Sequence, residues 1–377
     1  MLYEFLLPLQ SYVSGFNIFR YISFRAAGAA ITSLLFTFIV GPAILRWLQG
    51  MQVHQVVRAG TPDSHAGKGK TPTMGGIIIL SAITGSTLLW MRFDSRYVWL
   101  ALAVTLLMGA IGFLDDYLKL KQKREGKRND GLVERYKLAG QVTIGAALGT
   151  FIWLVPLNTL PGASTTLPFY KYVLIIPAIP LLYVPFVTFV MTGTSNAVNL
   201  TDGLDGLASG LMAIAMLTMA VFAYVMGRTD AAEYLQVFYL RGAGELTIFC
   251  LAVFGAAVGF LWYNAYPAQV FMGDTGSLAL GGALGAVAIL LKSEFLVLIV
   301  GGVFVAETLS VIIQRSTFKW RKRRHGLEYA QQHRVFLRAP IHHHFELKGW
   351  PETQVVVRFW ILGALCAFLA ISTLKIR

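Results

Sequence analysis

Ten stretches of about twenty mostly apolar residues run along this 377-residue chain, at about 25–46, 73–91, 97–117, 134–154, 172–192, 203–223, 240–260, 275–291, 295–313 and 354–374. A helix of that length rises about 30 Å, the thickness of the hydrocarbon core of a bilayer. Inside that core only helices or closed barrels satisfy the backbone's own hydrogen-bonding groups. Charged residues make up 14% of the chain, against about 25% in soluble domains. The expectation is an all-α integral membrane protein with ten transmembrane helices, forming one domain over residues 1–377. The fifth stretch carries Pro177, Pro180 and Pro185 and is expected to kink. Cys250 and Cys366 both fall in apolar runs, which argues against a disulfide framework or a structural zinc site. Residues 1–20 lack the pattern of a signal peptide and read as an interfacial segment.

Orientation follows from lysine and arginine, which accumulate in cytoplasmic loops. The loops after odd-numbered stretches hold 21 of them, including eight in 117–137 and nine in 314–353, while the opposite side holds 10. The odd loops are therefore expected in the cytoplasm and both termini in the periplasm. The net charge of +13 fits anionic headgroups or a polyanionic substrate, and nucleic acid is not expected as a partner.

The polar clusters all fall on the cytoplasmic side, which puts the expected active site at that face. Asn196, Asn199, Asp202 and Asp205 recur every three residues in Ser195–Leu207. On a helix that spacing stacks them near one face, and in so apolar a chain four such groups exceed what one N-cap needs. Asp115 and Asp116 end the third stretch, with Lys119 one turn on. Carboxylates at a helix C-terminus oppose its dipole, so a metal ion or Lys119 has to compensate them. Adjacent carboxylates also raise one another's pKa, which suits a general base. Asp274 sits among glycines at the start of the eighth stretch, after Asn264 and Phe271. Free N–H groups there suit a phosphate, the carboxylate suits Mg²⁺, and Phe271 could stack on a nucleobase. The approach to the second stretch, Lys68 to Gly76 with Lys70 in it, suits phosphate contact but lacks the Walker A spacing. His342, His343 and His344 fit hydrogen bonding to a diphosphate or a proton relay. They do not fit a zinc-protease motif. Glu307 and Gln314 lie in or at the end of the ninth stretch, and the sequence leaves the role of Glu307 open. Carboxylates for Mg²⁺ beside basic groups for phosphate describe phosphoryl transfer. A site at the bilayer edge makes one reactant a lipid.

Asp115-Asp116-Tyr117-Leu118-Lys119, Asn196–Leu207, Phe271-Met272-Gly273-Asp274 and Pro340–Glu346 resemble the motifs of the polyprenyl-phosphate N-acetylhexosamine-1-phosphate transferases. The triple histidine and the Lys70–Gly76 approach look like the members that use UDP-N-acetylmuramoyl-pentapeptide. The resemblance implies transfer of phospho-N-acetylmuramoyl-pentapeptide to undecaprenyl phosphate with Mg²⁺, giving lipid I and UMP, in the bacterial inner membrane. It implies Asp115 as the base with Asp116 in support, and Asp274 as the Mg²⁺ ligand. Asn199 and Asp202 would line the cleft, Phe271 would stack on uracil near Lys70, Asn264 and Gln314, and the histidines would contact the diphosphate or sugar. Lys119, Asn196 and Asp205 join the substrate-binding set. A homodimer and contacts with membrane lipids are implied as well. Two rivals stand beside this reading. A related enzyme would use UDP-N-acetylglucosamine. A secondary transporter would gather its charges at the bilayer midplane, whereas here they gather at one face.

Overall fold

The apolar runs fold as helices because a backbone in lipid closes its hydrogen bonds within the segment. In the computed structural model, residues 1–50, 71–125, 131–170, 174–176 and 180–375 are described. Lys70 lies outside the described residues. Ten long helices follow in order: α1 (Ile22–Gly50), α2 (Gly76–Trp90), α3 (Arg96–Arg124), α4 (Glu134–Leu154), α5 (Tyr183–Thr201), α6 (Leu207–Met226), α7 (Leu246–Asn264), α8 (Gly273–Leu290), α9 (Gly302–His325) and α10 (Glu352–Ser372). Among the described residues, seven helical segments, lying in α1, α3, α4, α6, α7, α8 and α10, are long and apolar enough to cross a membrane. The chain is an all-α, multi-pass membrane protein.

Three boundaries differ from the sequence expectation. The fifth helix starts at Tyr183, not near 172. Proline has no N–H to give a helix and is tolerated only in its first turn, where Pro185 sits. Ahead of it, Thr165–Thr166 pairs antiparallel with Leu174–Ile175. The ninth helix begins at Gly302, after a separate turn at Val297–Val300. The third helix runs two turns past Asp116 to Arg124. Asp115 and Asp116 therefore do not stand at a helix C-terminus, and the dipole argument for a compensating charge does not apply to them.

Helix α8 is the axis of the bundle. Every residue from Thr275 to Leu290 is buried, with α3, α5 and α2 packed around it. Two glycines allow this close approach. A Cβ on Gly112 of α3 would lie 2.1 Å from the Asp274 carbonyl oxygen, and one on Gly76 of α2 would lie 2.1 Å from the Gly276 nitrogen. The α2 approach is stitched to the segment before α8: Phe271 N–H donates to Pro72 O, Gly75 N–H to Phe271 O and Gly76 N–H to Met272 O, each at 2.8 Å. At the opposite end of the bundle Arg25 of α1 and Glu245 form a buried bidentate ion pair at 2.6 and 2.8 Å.

Candidate active site

Four helix ends meet at one end of the bundle: the last third of α3, the starts of α4 and α8, and the end of α5. They bring Asp115, Asp116 and Asp274 together, with ligand oxygens within 4.8 Å of one another. Asp116 faces the N-terminus of α8. It accepts from Thr275 N–H at 2.9 Å, Thr275 Oγ1 at 2.7 Å and, more weakly, Asp274 N–H at 3.3 Å. A carboxylate borne by α3 thus caps α8, satisfying N–H groups that have no partner within their own helix. Asp115 Oδ1 accepts from Leu132 N–H at 2.8 Å.

Two lysines partly offset the charge of the cluster. Lys119, four residues after Asp115 on the same face of α3, lies 2.5 Å from Asp115 Oδ2 and 3.2 Å from Asp274 Oδ2. Lys137, in the first turn of α4, makes a short ion pair with Asp274 and lies 3.9 Å from Asp115. Asn199 completes the ring, donating to Asp274 Oδ1 and to Ser277 Oγ at 2.8 Å each. Three carboxylates with two ammonium groups leave one net negative charge, and hard oxygens in this number suit a divalent ion such as Mg²⁺.

The Ser195–Leu207 stretch splits between a helix and a turn. Asn196 and Asn199 lie on α5, while 202–206 form the turn into α6. Asn196 pairs with Gln141 of α4 at 2.7 Å, one turn from Asn199. The Asp202 N–H donates to Val198 O at 3.1 Å, while its side chain makes no hydrogen bond among the described residues. Burial first, then Asp274, Asp116 and Asp205, push its carboxyl up to about 8. Asp205 turns away, accepting from Ala268 N–H at 3.0 Å. Asn264 is buried and holds the same turn, accepting from Gly206 N–H and Ser209 Oγ at 3.1 Å and donating to Val270 O at 2.9 Å. These bonds give Asp205 and Asn264 a structural task, joining the 202–206 turn to the 265–270 loop. Phe271 is half-buried beside Asp274, its backbone held by the α2 approach.

The histidine helix, Ile341–Leu347, presents its three histidines to different partners. His342 is fully buried, its Nδ1 3.1 Å from Glu307 Oε1. Its Nε2 faces Gly203, where a Cβ would lie 2.3 Å away. His342 thus packs behind Gly203 of the 202–206 turn, and Glu307 gains a definite partner. His343 Nδ1 lies 2.7 Å from Glu346 Oε2, and its pKa is lowered chiefly by burial. His344 Nδ1 accepts from Leu337 N–H at 3.1 Å, and burial lowers its pKa too. Gln314 clamps the main chain of Phe336 through two 3.0 Å hydrogen bonds, which fixes the loop ahead of that helix.

Sequence reasoning missed Lys137, Gln141, Thr275 and Ser277 as members of the constellation. Lys137 carried a signal: it is the charged residue nearest the apolar part of α4, on the side where the other clusters gather. Within the 117–137 loop it counts only toward orientation.

Residues 98–292 match the family model described as glycosyl transferase family 4, and that span contains Asp115, Asp116, Lys119, Lys137, Asn199 and Asp274. The class is thus a membrane-embedded glycosyl transferase of family 4. Over its full length the chain is similar to phospho-N-acetylmuramoyl-pentapeptide-transferases: 71% identical to that of Gemmatimonas aurantiaca, 50% to that of Pelobacter propionicus and 49% to that of Geobacter sp. strain M21, each covering 100% of both chains. The chain belongs to the phospho-N-acetylmuramoyl-pentapeptide-transferase family.

Proposed function

We propose that the protein transfers phospho-N-acetylmuramoyl-pentapeptide from UDP-N-acetylmuramoyl-pentapeptide to undecaprenyl phosphate, forming lipid I and releasing UMP. The observation that carries this reading is the convergence of Asp115, Asp116 and Asp274 within 4.8 Å, in a chain 71% identical to a relative of that name. Ten crossings, periplasmic termini and a site at the cytoplasmic face of the inner membrane belong to the same proposal. They are supported by the Lys/Arg asymmetry between loops. A homodimer, implied by the family resemblance, belongs to it as well.

In the proposed reaction an oxygen of the lipid phosphate attacks the phosphorus linked to the sugar. The new P–O bond forms as the P–O bond to UMP breaks, and no protein nucleophile is required. Asp115 takes the proton of the acceptor phosphate; Leu132 N–H on Oδ1 and Lys119 beside Oδ2 hold its carboxylate in place. Asp274, with Asp115 and Asp116 beside it, would hold Mg²⁺. When bound, the ion supplies charge neutralisation at the diphosphate and the leaving UMP. Asp116 fixes the start of α8 and thereby the position of Asp274. Lys119 and Lys137 offset repulsion between the two phosphate-bearing reactants, and Asn199 aims the Asp274 carboxylate. Phe271 is the residue for the uracil ring, and His343 and His344 are those for the diphosphate or sugar.

The test is UMP release from purified protein given UDP-N-acetylmuramoyl-pentapeptide, with and without Mg²⁺ and undecaprenyl phosphate. The expected result is that both are required. Turnover of UDP-N-acetylglucosamine alone would overturn the substrate assignment. UMP exchange without any lipid phosphate would replace direct attack by a covalent route.

A further inference from the structure

Helix α4 stands at the edge of the bundle and packs chiefly on α5. Its buried residues are Gln141, Gly145, Leu148, Gly149 and Ile152, a spacing that puts them on one face of a helix. Two glycines bring the backbones close: a Cβ on Gly145 would lie 2.9 Å from Thr188 Cα, and one on Gly149 would lie 3.2 Å from Val187 Cβ. Small residues four apart are a common seam between helices in membranes. Such a seam fixes how near the helices come but holds their axial register weakly. A slide of one turn, about 5.4 Å, puts one glycine where the other was and moves Lys137 by the same amount.

Gln141 is the one polar residue in that buried stripe. Asn196 Nδ2 donates to its Oε1 at 2.7 Å and to Thr192 O at 2.8 Å, and the return contact from Gln141 Nε2 to Asn196 Oδ1 is 3.5 Å. Among the described residues this pair is the only hydrogen-bonded link between α4 and α5. A buried amide is costly without a partner, and sliding α4 breaks the pair. One turn nearer the site on each helix lie Lys137 and Asn199. They meet one carboxylate from two sides: Lys137 pairs with Asp274 Oδ2, and Asn199 Nδ2 donates to Oδ1 at 2.8 Å.

We infer that Gln141 is a positioning residue for the carboxylate site. Its amide pair with Asn196 sets the register of α4 on α5 and thereby seats Lys137 and Asn199 on the two oxygens of Asp274. The seating rests on geometry alone; only its effect on turnover rests on the proposed reaction.

The experiment compares purified full-length variants by calorimetric Mg²⁺ titration and by SDS unfolding, both read without turnover. Gln141→Leu removes the amide at similar volume. Mg²⁺ competes with Lys137 and Asn199 for the Asp274 oxygens, so its affinity should rise about three- to twentyfold, toward that of Lys137→Met. That factor is the size of one interhelical hydrogen bond in a membrane protein, and UMP release should fall by about as much. In unfolding, Gln141→Leu with Lys137→Met should cost less than the sum of the singles, since one acts through the other. Gln141→Asn should weaken the pair. The swap of Gln141→Asn with Asn196→Gln, which returns the lost methylene from the other helix, should restore it. Thr143→Val, on the exposed face of α4, should change nothing. Unchanged Mg²⁺ affinity with additive unfolding costs, or a swap no better than Gln141→Asn alone, overturns the inference and leaves Gln141 a residue of stability only. If Gln141→Leu does not fold, Gln141→Asn and the swap decide by the same two readouts. A wild type that releases no UMP refutes the substrate assignment and leaves these readouts standing.

Discussion

Replacing Asp116 by Asn tests whether this carboxylate acts on the reactants or on the fold. The change is isosteric, and the three bonds at stake are those from Thr275 N–H, Thr275 Oγ1 and Asp274 N–H. Charge-assisted hydrogen bonds are about twice as strong as neutral ones, so an amide oxygen left facing Thr275 loses about 1 kcal/mol on each of two bonds. The amide NH₂ then points at Asp274 N–H and orphans it, costing about another 1 kcal/mol. The sum is a loss of about 3 kcal/mol at the junction of α3 and α8, with Asp274 displaced from Asn199 and Lys137. The assay is unfolding by SDS titration in micelles, run beside UMP release. Thr275→Val should cost about 1 kcal/mol, because only the hydroxyl bond is lost. The double variant should fall short of the sum of the singles, since the two residues share one interaction. An Asp116→Asn protein as stable as wild type, inactive, and additive with Thr275→Val would refute the capping role and move Asp116 into direct contact with metal or substrate.

Three further outcomes follow from the same geometry. Lys137→Met removes an ammonium that competes for Asp274, so affinity for Mg²⁺ should rise while UMP release falls at least about tenfold, a transition-state loss of about 1.4 kcal/mol; calorimetric titration showing weaker Mg²⁺ binding would contradict this. Gly203→Ala should cost about 1–3 kcal/mol by overpacking, because its Cβ would meet His342 Nε2 at 2.3 Å; His342→Ala in that background should recover part of the lost stability, and a fully stable single variant would show that the turn can yield. Asp202 is raised from 3.8 to about 8, so the metal-free fold favours its protonated form; that contribution is complete below about pH 4 and is lost as the pH rises through 8. Thermal stability in EDTA should therefore fall between about pH 4 and 8 and level off above that, and Asp202→Asn should flatten the slope; an equal slope in the variant would remove Asp202 as its cause.

Local chemistry made much of this protein legible in its sequence. Apolar runs of twenty residues leave few choices but helices, and polar residues interrupting them had to be satisfied somewhere. Asp115, Asp116, Asn199 and Asp274 stood out on that ground and do converge. The limits of the reading were those of locality. Proline crowding between 172 and 185 looked like a kinked span, yet the missing N–H groups delay the helix to Tyr183. Hydropathy could not separate a polar group that faces reactants from one that holds the backbone. Asn264, Asp205 and Gln314 have the composition of site residues, yet each is tied to main-chain atoms by bonds that no spacing reveals.

The sequence by itself determined the class of fold, the order of the helices and the residues at which chemistry could occur, because burial and backbone satisfaction depend on composition over a few turns. Only the tertiary structure decided which of those residues share a site. Asp116 and Thr275 are 159 positions apart, and Lys137 and Asp274 are 137 apart. Such contacts exist because glycines at 76 and 112 let α2 and α3 close on α8. The arrangement of charged groups, with lysines beside the carboxylates, Asp116 capping α8 and His342 packed against Gly203, is a property of that packing and of no single stretch of chain.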